Sequence, residues 1–74
     1  MTKFQHASEM ARMTAELAEM RDSANLAAAA AEYQAAADEF EKSAVYRRTI
    51  GGKAAAARHH RIGVRLLRRA HEML

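Results

Sequence analysis

The stretch Arg21-Asp22-Ser23-Ala24-Asn25 decides how this 74-residue chain folds. On its N-terminal side, at about 100° per residue with Phe4 as zero, Met10, Met13, Leu17, Met20 and Ala24 fall between roughly 160° and 240°. On its C-terminal side Leu26, Ala30, Tyr33, Ala37, Phe40 and Ala44 fall between roughly 0° and 80°. The apolar stripe therefore changes sides where Asp22, Ser23 and Asn25 offer side-chain hydrogen bonds that favour caps and turns over helix interior. Two architectures satisfy this pattern. Either the chain turns here, giving three helices in an antiparallel bundle, or one long helix shows its halves to different partners in a two-helix hairpin. The three-helix bundle is the favoured reading and the hairpin its alternative, with no glycine to mark the turn and an alanine run from Ala27 to Ala31 able to continue a helix or to form a close packing face.

The flanking signals are consistent with helices throughout. Thr2, with Gln5 three residues on, fits a capping box opening a helix near Lys3. Thr49-Ile50-Gly51-Gly52 is a strong stop, since a glycine pair supplies the positive φ of a helix end; helices are expected to end near Arg48 and restart near Lys53. Proline is absent and only four residues are valine or isoleucine, so the fold class is all-α, a small self-associating helical bundle. Residues 1–74 form a single domain: an acidic helical half 1–48, a glycine turn 49–52 and a basic helix 53–74. Nineteen of the 37 hydrophobic residues are alanine, which leaves a thin core and a reason to bury apolar surface against another copy.

Charge divides the chain more sharply than its net +3 suggests. Residues 1–41 hold three basic and eight acidic side chains; residues 42–74 hold nine basic and one acidic. In the last helix, with Arg58 as zero, Arg58, Arg61, Arg65, Arg68 and Arg69 fill an arc of about 100°, while Ala55, Ile62, Leu66, Leu67, Ala70, Met73 and Leu74 occupy the neighbouring arc from about 40° to 180°. Gly63 sits within the apolar arc, where it predicts the close approach of another helix. Arg47, Arg48 and Lys53 extend the arginine row around the glycine turn. Guanidinium forks match phosphate and carboxylate, so these eight residues are the candidate binding site for nucleic acid or for an acidic protein. A self-neutralised face, paired with Glu9, Glu16, Glu19, Glu32, Glu39 and Glu41, is the third reading.

The remaining constellations argue against catalysis. Without cysteine there is no disulfide, thiol nucleophile or thiolate metal site. His6, His59, His60 and His71 are read as surface or helix-end side chains, the adjacent His59 and His60 pointing about 100° apart on a helix and so unable to chelate one ion. Gly51-Gly52-Lys53 lacks the upstream glycine and downstream hydroxyl of a phosphate loop. The expectation is a non-catalytic binding protein with no cofactor and no metal. No apolar run approaches a membrane span and no leader h-region is evident, so no membrane partner is expected and the expected compartment is the cytoplasm. Met10, Met13, Leu17 and Met20 form a seam that serves either as core or as the surface of a homo-oligomer.

Overall fold

The computed structural model describes all residues, Met1–Leu74, as three helices and no strand: α1 Lys3–Arg21, α2 Ala24–Arg47 and α3 Lys53–Met73. The turn between α1 and α2 falls in the stretch where the apolar stripe changes sides, so the long-first-helix alternative does not hold. Asp22 takes the left-handed conformation (φ 48°) that glycine would otherwise supply, and the Ser23 N–H closes a wide turn on the Ala18 carbonyl at 3.0 Å. Ser23 then caps α2 by accepting from the Leu26 N–H at 3.2 Å. At the chain start Thr2 and Gln5 form the expected reciprocal capping box. At the second turn Gly51 adopts φ 76°, and a Cβ on Gly52 would lie 2.3 Å from the Tyr46 carbonyl oxygen; both positions therefore require glycine.

The helices meet through small side chains. The buried positions of α1 are Ala7, Ala11, Thr14 and Ala18; those of α2 include Ala29, Tyr33, Ala36, Phe40 and Ser43; those of α3 are Ala56, Gly63 and Ala70. Spacings of four and three on α1 and α2, and of seven on α3, are the seam of left-handed helix pairing. Nine of the eleven buried apolar residues are alanine, Tyr33 and Phe40 being the two large ones. Small seams let helix axes approach toward the short end of the usual 8–10 Å range, so the core gains from backbone proximity more than from side-chain bulk.

Of the two uses open to the methionine stripe of α1, core or outer surface, the core takes only Met10. Met13 (47% exposed), Leu17 (36%) and Met20 (81%) stay at the surface, and only Met10 packs, against the cluster of Ala11, Tyr33 and Ala70. The methionine stripe lies about 100° around the helix from the buried alanines, because large side chains there would hold α1 away from α2. In α3, likewise, Leu66 and Leu67 are half-buried while Met73 and Leu74 are exposed.

The helices are also staggered. Ala11, Tyr33 and Ala70 share one layer, and Ala7, Ala36, Ala37 and Phe40 the next, with Val64, Leu66 and Leu67 packed on it. From the layer of Ala11 and Ala70, α1 runs on for about 15 Å but α3 for only about 5 Å, at 1.5 Å per residue. The α1–α2 hairpin thus overhangs one end of the molecule, which measures 46 × 17 × 15 Å, longer than the roughly 36 Å of α2 alone.

Gly63 faces the ring of Phe40, as its place in the apolar arc predicts: a Cβ added there would lie 2.8 Å from Phe40 Cε1. Phe40 is 5% exposed and cannot swing away. Gly63→Ala is therefore expected to destabilise the fold by about 1–2 kcal/mol despite a helix-propensity gain of about 1 kcal/mol, read as a lower thermal midpoint; a raised midpoint would show that α2 and α3 are not held this close.

Candidate polyanion-binding face

Three devices place α3 with its arginines outward. The alanine and glycine positions dock it on α2; the Ser43 hydroxyl donates to the Ala56 carbonyl at 2.7 Å, inside the seam; and the His59 Nδ1–H donates to Glu39 Oε2 at 2.5 Å, with Lys42 on the other carboxylate oxygen at 3.4 Å. His59 also stacks on Tyr46, ring centroids 5.3 Å apart and 1° from parallel. These hydrogen bonds hold Glu39 below the usual carboxylate range, the bond from His59 being the main cause.

With α3 so fixed, Arg58, Arg61, Arg65, Arg68 and Arg69 are all exposed along one side. Arg61, Arg65, Arg68 and Arg69 line a shallow groove with His60, Val64 and Glu72. The acidic helices barely reach them. Arg69 alone meets a carboxylate, its Nε 3.8 Å from Glu32 Oε2; Arg58, Arg61, Arg65 and Arg68 enter no ion pair within the chain. Glu9 and Glu16 instead bracket Arg12 on their own helix, at 3.8 and 3.2 Å. Ten steps of straight helix separate Arg58 from Arg68, the ends of the unpaired set, by about 15 Å, so a long row of four cations stays unneutralised.

Arg47 and Arg48 do not continue this row. They are exposed at the end of α2, where with Lys3, Phe4 and His60 they border a second groove between the start of α1 and the end of α2. Lys53, the first residue of α3, is exposed at the glycine turn. The eight sequence-predicted cations thus divide into a face on α3, an end cluster of Arg47 and Arg48, and Lys53 at the turn.

His71 is exposed in the last turn of α3, as expected, whereas His6, His59 and His60 are half-buried rather than surface groups. His59 and His60 are half-buried between helices, and His6 lies 6.1 Å, ring to ring, from His71. His71 Nδ1 pairs with the Tyr33 hydroxyl at 2.7 Å; Tyr33 is fully buried, which raises its pKa. His60 packs edge-on against Phe40 and accepts from Lys3 Nζ at 3.4 Å. Burial first, then the positive charges of Lys3 and Arg47, lower its pKa. A signal for His59 did exist: at about 100° from Arg58 it lies in the middle of the apolar arc of α3. Glu39 as its partner was not readable, because that pairing joins two helices.

No group of three or more His, Asp or Glu side chains converges as a metal site, and no helix is long and apolar enough to cross a membrane. No family model matches the chain, and no curated protein or solved structure matches it.

The two shifted groups at the α2–α3 seam predict acid sensitivity. With the folded pKa of His60 lowered, the unfolded chain binds the extra proton, so stability falls as pH drops below about 6.5. With that of Glu39 lowered, its contribution is present above about pH 4.3 and is lost as pH falls through the folded value. Thermal midpoints measured from about pH 7.5 to about pH 2.5 should decline in two stages, His60→Gln flattening the upper stage and Glu39→Gln the lower; a pH-independent midpoint would contradict this assignment.

Proposed function

We propose that this chain is a non-catalytic binding protein whose α3 docks on the phosphates of a nucleic acid, with the cytoplasm as the compartment that holds its ligand. The observation that carries the reading is a row of four guanidinia with no carboxylate partner on one exposed side of a helix. Neutralising such a row releases condensed counterions from a phosphate backbone, a sequence-independent source of affinity. An acidic protein surface is the weaker candidate. Protein interfaces draw their energy from an apolar centre, and Val64 is the one hydrophobic residue in this groove.

Double-stranded nucleic acid suits the face better than a single strand. Single-strand binding relies on aromatic platforms set among the cations, whereas Tyr33 and Phe40 are buried and the two exposed aromatics, Phe4 and Tyr46, lie outside the groove of the α3 arginines. A row of about 15 Å exceeds the roughly 12 Å width of a B-form major groove, so its end guanidinia can reach phosphates on both sides. With the guanidinia engaged on phosphates, whose contacts carry no sequence information, binding is expected to be insensitive to sequence.

Titration of the protein into labelled duplex DNA, followed by anisotropy at several salt concentrations, tests this. Four or five phosphate contacts predict a log–log salt slope of about −4, and Arg61→Ala with Arg65→Ala should flatten it by about 2. Absence of binding at low salt and tens of micromolar protein would remove the nucleic-acid reading and leave an acidic protein as the ligand to seek.

A further inference from the structure

The apolar stripe of α1, exposed at Met13, Leu17 and Met20 and half-buried at Met10, has a symmetry that its composition alone does not reveal. Met10, Met13, Leu17 and Met20 are spaced three, four and three, so the stripe is a palindrome about the level of Ala15: Met10 and Met20 lie five residues either side, Met13 and Leu17 two. Reversing the helix direction reproduces the same row of side chains. Beside it runs a charged row of Glu9, Arg12 and Glu16, tied together by the two Arg12 ion pairs. The third helix leaves the Leu17–Met20 half of this surface open, because α3 ends near the middle of the stripe while α1 runs on to Arg21.

We infer that the stripe is covered by the same stripe of a second copy, the two α1 helices packing antiparallel about a two-fold axis at the level of Ala15. Met10 then faces Met20 of the partner subunit and Met13 faces Leu17 of the partner subunit, an isologous contact that closes as a dimer. Charge selects the direction. In the antiparallel arrangement each Arg12 comes within about 3 Å, along the helix axis, of Glu16 of the partner subunit, at 1.5 Å per residue. A parallel two-fold pair would place the two charged rows on opposite edges of the contact, where Arg12 meets no carboxylate of the other copy's row. Methionine suits such a contact because its unbranched thioether adapts to a facing copy of itself. The arginines of α3 take no part, so both copies keep that face free.

Sedimentation equilibrium of the full chain without nucleic acid, from low to hundreds of micromolar, tests the pairing. The expected result is a mass that rises from 8.2 kDa toward twice that value and no further. Leu17→Glu places a carboxylate at each of two symmetric contacts and should weaken the dimer on the order of 100-fold or more while leaving the helical circular dichroism unchanged, since Leu17 is at the surface of the bundle. Orientation is read with cysteines introduced into this cysteine-free chain: a mixture of Met13→Cys and Leu17→Cys chains should oxidise to the crossed disulfide in preference to either symmetric one. A monomer at hundreds of micromolar, growth beyond a dimer, a dimer indifferent to Leu17→Glu, or a predominance of symmetric disulfides would each overturn the inference. Duplex binding through α3 is measured separately and stands or falls without it.

Discussion

The contact on which the rest of the structure depends is the close approach of α3 to α2 at Gly63 and Phe40. A ring lying where a Cβ would otherwise sit sets the distance between these helices, and every alanine in the seam is small enough to respect it. From that distance follow the Ser43 hydroxyl's reach to a carbonyl on the facing helix, the short bond of His59 to Glu39, and the outward aim of the arginines. A bulkier seam would separate the helices, lengthen each of these bonds and turn α3 about its axis.

An alanine-built core has a second effect, on where large apolar side chains go. Here the interior takes Tyr33 and Phe40 and little else of size, so methionines and leucines that a larger protein would bury are left on the outside of α1 and at the end of α3. The molecule divides its chemistry accordingly: an apolar stripe on α1, a cationic row on α3 in which four of five arginines have no carboxylate partner, and between them α2, packed against both. Acidic residues of α1 mostly serve their own helix surface. The opposite charges of the two halves therefore do not cancel, and a cationic face survives in a chain of modest net charge.

Much of the architecture was legible from local chemistry. The change of stripe at residues 21–25, the Thr2–Gln5 box and the glycine pair each report on a few neighbouring residues, and each has its counterpart in the helix ends observed. The face occupied by the arginines of α3 was legible for the same reason, since helical periodicity alone sets their common side. Less legible were the residues that bury. A search for large apolar side chains picks out Met13, Leu17 and Met20, whereas packing selected Ala7, Ala11, Thr14 and Ala18, whose small size matters only once a second helix is present.

What the sequence by itself determined is the set of helices, their boundaries and which residues share a side, because hydrogen bonds and side-chain spacing within one helix settle these. Only the tertiary structure decided which side faces inward, how far the helices slide past one another, and which charges find partners. Arg69 reaches Glu32 and Arg65 reaches no carboxylate, though both belong to one cationic row, because the difference depends on the offset between two helices. Histidine shows the same division. His59 and His60 are adjacent in sequence, yet the first hydrogen-bonds a carboxylate and the second accepts from a lysine while packed on a phenylalanine ring, since the facing helices supply different neighbours at each angle.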